Sequence, residues 1–164
     1  MRARCAQILR RPARAADDSY LRQLFAESRA ELLALPPDLR ASLLDLQYRG
    51  QARQFAADHP AATREILVAD GVDSGVLVLD RDAEHTHILD ITIARSARRQ
   101  GIASSALRAV IDEAGERAVT LFVWSENLAA RSLYERLGFV VSVGSDSASD
   151  TAEGHLSMER RPGR

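Results

Sequence analysis

The stretch RSARRQGIASSAL, residues 95–107, packs three arginines into five positions, follows them with Gly101, and then runs on in small residues at helical spacing. A helix start leaves backbone N–H groups unpaired and carries partial positive charge, so it attracts an anion. Gly101 removes the Cβ that would hold a pyrophosphate away from the backbone, and Ala103 is nearly as small. Arg98 and Arg99 add charge beside those amides, and Ser104 offers a hydroxyl. Alone, such a stretch also fits a solvated basic turn that starts an amphipathic helix. A phosphate loop of the Gly-Lys-Ser/Thr kind and a dinucleotide loop of the Gly-x-Gly-x-x-Gly kind are both missing.

Two further groups have chemical potential. In LFVWSENLAARSLYERLGF (121–139), Asn127 and Tyr134 stand seven positions apart, two helical turns, and so share a face. Asn127 also sits where a helix N-cap belongs, and Tyr134 also fits a core aromatic. In HTHILDI (85–91), His87 shares a strand face with Leu89, Ile91 and Ile93, while Asp90 points the other way. Histidine has the unperturbed pKa, near 6.5, suited to taking a proton at neutral pH. A carboxylate between Leu89 and Ile91 must be paired or have a raised pKa, so Asp90 is either a catalytic group or a structural hydrogen-bond acceptor.

The elements that position these groups follow from periodicity. CAQILR (5–10) reads as a short first strand. Leu21, Leu24, Phe25, Ser28, Leu32 and Leu35 give one helix over 17–35, stopped by LPP, and a second starts at Pro37 or Asp38 and weakens at Gly50. Strands are expected at 64–70 and 74–82, paired as a hairpin, and at 86–95. A helix over 101–118 follows, then the apolar run VTLFVW (119–124), read as a strand covered on both faces. A helix over 126–138 ends at Gly138, and FVVSVGS and EGHLSMERR make a last antiparallel pair around a polar loop at 145–154. This is an α/β (α+β) order, a sheet with helices packed on its faces.

The strand ILDITIA followed by Arg98-Arg99-Gln100-Gly101-Ile102-Ala103 fits Arg/Gln-x-x-Gly-x-Gly/Ala, and residues 121–139 fit a strand, Asn-x-x-Ala, Tyr and Leu-Gly-Phe. In these two motifs, in this order, the chain resembles the GNAT superfamily of acyl-CoA-dependent N-acetyltransferases. The resemblance implies a mixed central sheet of six to seven strands, with helices on both faces and the fourth and fifth strands splayed. It implies acetyl-CoA as co-substrate, its pyrophosphate on residues 98–104 and its pantetheine arm on the backbone of Ile91 and Ile93. Asn127 and Tyr134 would face the same ligand, with Tyr134 near the sulfur as general acid for the thiolate. Amine attack would be direct, so Cys5 is not needed as nucleophile and reads as a buried small residue. Family members often carry a glutamate or histidine at the position of His87, which ranks it first as base ahead of Asp90. Members with a carboxylate on the fifth strand are not matched, since Phe122 and Trp124 stand there; that weighs against a protein N-terminus acetylator.

Length and composition agree with one acetyltransferase domain over 1–164. The net charge of −1 gives no electrostatic case for nucleic acid or membrane, and all 22 basic residues are arginine. A single cysteine and four histidines without zinc-site spacing lead to an expectation of no metal; His85 and His87 share a strand face but want further ligands. Without an apolar run of spanning length, a cytoplasmic protein is expected, as monomer or homodimer. The expected acceptor is a small-molecule or amino-acid-like amine, chosen by residues 28–60 (Glu31, Asp38, Asp45, Gln47, Tyr48) and by Asp146, Asp150 and Glu153. The alternatives are a protein N-acetyltransferase and a non-catalytic acyl-CoA sensor on the same fold.

Overall fold

The computed structural model describes residues 8–142 and 154–163. Cys5, Asp146, Asp150 and Glu153 lie outside them. Seven strands form one mixed sheet in the order β1-β2-β3-β4-β5-β7-β6: β1 Ile8–Pro12, β2 Thr63–Ala69, β3 Val72–Arg81, β4 His85–Ile93, β5 Ala118–Trp124, β6 Val140–Val141 and β7 His155–Arg160. Four α-helices accompany it: α1 Asp18–Glu27, α2 Pro37–Asp58, α3 Ile102–Ala114 and α4 Leu128–Arg136. No helix among the described residues is long and apolar enough to cross a membrane.

Internal contacts group the chain into two compact units. One comprises Met1–Val78 with Asp90–Ile102, the other Leu79–Leu89 with Ala103–Arg164. The first is centred on Leu24, Ile66, Leu67 and Leu77, all essentially without exposure. Strand β1 pairs antiparallel with β2, from Ile8 opposite Ala69 to Pro12 opposite Glu65. A Cβ on Gly75 would stand 2.5 Å from the Thr92 carbonyl oxygen, so glycine is what lets β3 approach β4 there.

The second unit buries Leu107, Val110, Val119, Leu121, Phe139 and Met158. Here β4 and β5 run parallel, from His85 opposite Ala118 to Ile88 opposite Leu121, and β5 pairs antiparallel with β7 from Val119–Arg160 to Trp124–His155. Strand β7 therefore separates β5 from β6, an order set by pairing between distant segments.

Four expectations are corrected. The helix expected over 17–35 ends at Glu27, where the Ser28 hydroxyl donates back to the Phe25 carbonyl at 2.7 Å; residues Ala30–Ala34 form a tighter 3₁₀ segment. Helix α2 runs unbroken through Gly50. Helix α3 stops at Ala114 instead of 118, because Gly115 turns left-handed (φ 59°) and Arg117 donates to the carbonyls of Glu113 and Ala114. Strand β5 is not covered on both faces. Val119, Leu121 and Val123 are buried, whereas Phe122 and Trp124 are 51% and 47% exposed. A strand alternates its side chains, and on that second face Phe122 and Trp124 stand opposite Ser157 and His155 of β7.

Candidate active site

The head of α3 is a left-handed turn that leaves open space above its backbone. Arg99 and Gly101 both lie in the left-handed region, at φ 64° and 79°, and nothing stands within 4 Å of where a Gly101 Cβ would be. Gly101 thus serves the turn through its positive φ, and the space above its backbone is open. Ile102 is a buried anchor at 2% exposure, while Ala103 and Ser104 are half-buried. Arg98, Arg99 and Gln100 are exposed; Arg98 Nε donates to the Ile93 carbonyl at 3.1 Å and Gln100 Nε2 to the Ser96 carbonyl at 3.2 Å.

Glu27, at the end of α1, braces this loop by accepting the Arg95 N–H at 2.7 Å. That hydrogen bond holds its carboxyl below the usual glutamate range, with the charges of Arg98 and Arg95 adding to the effect. Sequence reasoning missed Glu27, because its partner is 68 positions away.

Backbone direction on β4 bears on Ile91 and Ile93. The Thr92 carbonyl faces Gly75 of β3, and the Ala94 N–H donates to the Ser74 carbonyl at 2.9 Å. Backbone groups alternate along a strand, so those of Ile91 and Ile93 face the opposite edge. The ladder between β4 and β5 includes nothing past Ile88, and β4 continues to Ile93.

Asp90 is half-buried and accepts from the Thr92 hydroxyl at 3.1 Å. Burial pushes its carboxyl above the ordinary aspartate range, against the pull of Thr92, Arg64 and Arg29. A carboxyl raised by folding binds its proton more tightly in the native state. The stability this gives is fully present below the unfolded value, about 3.9, and is lost as pH rises through the raised value. Asp90→Asn has no such proton to lose. Its melting temperature relative to the parent should therefore climb as pH rises from the unfolded value through the raised one, and a difference that stays constant across thermal melts would contradict this account.

His87 is in the other unit. Its Nδ1 meets the Thr120 hydroxyl on β5, its Nε2 is 3.6 Å from an Asp82 carboxylate oxygen, and its ring stacks on His85 at 5.5 Å. When Nδ1–H donates to Thr120, Nε2 is left with its lone pair available.

On α4, Asn127 is the N-cap, its Oδ1 accepting the Ala130 N–H at 3.1 Å. Tyr134 is 7% exposed and packs edge-on against Phe139, ring centroids 5.8 Å apart. The two residues thus share a helix but differ in setting, one exposed and capping, the other in the core. Of the residues expected to select the acceptor, Asp45 is paired with Arg22 and Arg49, and the Tyr48 hydroxyl donates to Asp18 at 3.0 Å.

The chain matches the model of the acetyltransferase (GNAT) family over residues 21–139. No curated protein matches it by sequence. Among solved structures it is similar to the PaiA N-acetyltransferase of Thermoplasma acidophilum in complex with coenzyme A, at 17% identity, 94% of this chain, 99% of that one and a TM-score of 0.67. It is likewise similar to the ribosomal-protein-S18-alanine N-acetyltransferase of Escherichia coli, at 20% identity, 94% of each chain and a TM-score of 0.64. A spermidine N-acetyltransferase chimera, SpeG of Vibrio cholerae with hSSAT, shares 18% identity over 95% of this chain and 96% of that one, with a TM-score of 0.63. These likenesses establish the fold, and the match over residues 21–139 establishes that the chain belongs to the acetyltransferase (GNAT) family.

Proposed function

We propose that this enzyme moves the acetyl group of acetyl-CoA to a primary amine of a small-molecule or amino-acid-like acceptor, by direct attack on the thioester. The observation that carries the donor assignment is the left-handed Arg99–Gly101 turn at the head of α3, open above the Gly101 backbone. The amides from Gly101 to Ser104 and the Arg98 and Arg99 guanidiniums would hold the pyrophosphate. The outer backbone edge at Ile91 and Ile93 would hold the pantetheine arm. Gln100, Ile102 and Asn127 shape and cap the two helix starts involved. We read residues 1–164 as one acetyltransferase domain, a reading supported by a family match that crosses both compact units.

A primary amine has a pKa near 10.4 and must shed a proton to attack, and His87 Nε2 is the acceptor we assign. Tyr134 would supply a proton or hydrogen bond to the departing thiolate. The proteins of similar fold include one named for spermidine and one for a protein alanine. Phe122 and Trp124, exposed on β5 where a carboxylate would serve a protein N-terminus, favour the small amine here. The deciding experiment is a panel of spermidine, free amino acids and an alanine-terminated peptide with acetyl-CoA, read by thiol release. Amine-dependent release supports the enzyme, while donor binding without transfer to any amine would favour a non-catalytic acyl-CoA sensor.

Tyr134→Phe tests the acid. The ring that packs on Phe139 is kept, so the fold should survive. The turnover number and kcat/KM should fall together by roughly tenfold to a hundredfold, with acetyl-CoA affinity intact, because the lost interaction belongs to the transition state. Parent-like rates would leave Tyr134 as a packing residue.

A further inference from the structure

We propose that Asp82, His85 and His87 form a binding site for a divalent ion of the zinc class. The fold brings one potential ligand atom from each to within 4.8 Å of the others. His85 Nδ1 and His87 Nε2 each lie 3.6 Å from an Asp82 carboxylate oxygen. Zinc bonds of about 2.0–2.1 Å set tetrahedral ligand atoms about 3.3 Å apart. Each imidazole nitrogen stands 3.6 Å from its own Asp82 oxygen, and side-chain rotation at these half-exposed residues would draw the three groups, now within 4.8 Å of one another, around an ion.

The site is built by local geometry. His85 and His87, two apart on β4, project from one face, and their rings stack with planes 24° apart. Asp82 opens the turn that follows β3 and is folded back by accepting the N–H groups of Glu84 at 2.8 Å and His85 at 2.6 Å. Both bonds fall on one carboxylate oxygen, which leaves the other turned to His87. The same bonds hold the carboxyl below the ordinary aspartate range, in the anionic form a metal ligand requires.

Thr120 completes the arrangement. A ligating histidine usually donates its other ring N–H to an oxygen that fixes its tautomer and orientation, and the Thr120 hydroxyl stands at His87 Nδ1. Two nitrogens and one carboxylate oxygen suit zinc or a neighbouring transition metal over magnesium or calcium, which prefer oxygen alone. The three side chains are 37–55% exposed, so water can fill the remaining positions and the ion can exchange. An ion here would take the same Nε2 lone pair that the proton-transfer reading gives His87. That consequence rests on the reading of His87, whereas binding of the ion does not.

The test is calorimetric titration of the full chain with zinc chloride alone at neutral pH, on the parent, on Asp82→Ala and His85→Ala, and on His59→Ala at the C-cap of α2 as the control histidine outside the cluster. Circular dichroism confirms folding of each variant. One ion per chain is expected in the parent and in His59→Ala, with affinity weakened about tenfold or more in the other two. Cobalt(II) titrated into the parent should broaden the ring proton resonances of His85 and His87. Absence of saturable one-to-one binding, or binding unchanged by both Asp82→Ala and His85→Ala, would overturn the site.

Discussion

Gly101→Glu is expected to abolish the rise in melting temperature that acetyl-CoA gives the parent protein. A ligand that binds only the native state stabilises it by about 2.7 kcal/mol at a hundred times its dissociation constant. For a chain of this size that corresponds to roughly 5–10 °C. Two effects act together in the variant. A carboxylate is placed in the open space above the helix start, where the pyrophosphate would sit, and an L side chain is forced to φ 79°. The second effect alone costs on the order of 1–3 kcal/mol and lowers the melting temperature of the free protein.

Gly101→Ala separates the two effects, since it carries the same backbone strain without charge or length. The alanine variant should melt lower than the parent yet keep a measurable acetyl-CoA shift. The glutamate variant should melt lower and show none. A parent-like shift in Gly101→Glu would remove the cradle from the head of α3 and, with it, the donor assignment.

This prediction draws on a part of the chain whose design is local. Glycine after a run of arginines, small residues at helical spacing and an apolar strand just before are all near neighbours in sequence, and the structure keeps them as strand, turn and helix. Asn127 as a helix cap and Gly138 after α4, at φ 88°, are local in the same sense. What the sequence conceals is set by distant pairing. Asp82 reaches His87 because a short turn folds back between β3 and β4, and Thr120 meets the same ring because β4 and β5 run parallel in one register. The exposure of Phe122 and Trp124 depends on β7 lying beside β5 with Ser157 and His155 opposite them. The end of α1 at Glu27 is a third case, where hydroxyl back-bonding by Ser28 outweighs a helical stripe that continues through Leu32 and Leu35. Each needed the partner strand or the actual backbone path, which periodicity does not contain.

His87→Ala is expected to lower the turnover number by roughly 10²–10⁴-fold, the usual contribution of a positioned proton acceptor. The argument runs from the acceptor: at neutral pH a primary amine is mostly protonated, and nitrogen attack on the thioester must be accompanied by proton loss. With Nδ1–H donating to the Thr120 hydroxyl, the ring is oriented and Nε2 is the basic nitrogen. Removing the imidazole takes that acceptor away and leaves water to replace it. The ring is only half-buried, so its loss opens little cavity and the fold should hold. The acetyl-CoA-induced thermal shift should be unchanged, because the proposed donor site is residues 98–104 and does not include His87. Thr120→Val gives a graded control, since it keeps the imidazole and removes the group that orients it, and its loss of rate should be smaller than that of His87→Ala. If His87→Ala kept the parent rate while Asp90→Asn lost it, the proton would go to the Asp90 carboxylate, and the half-buried aspartate whose carboxyl is raised by desolvation would become the base.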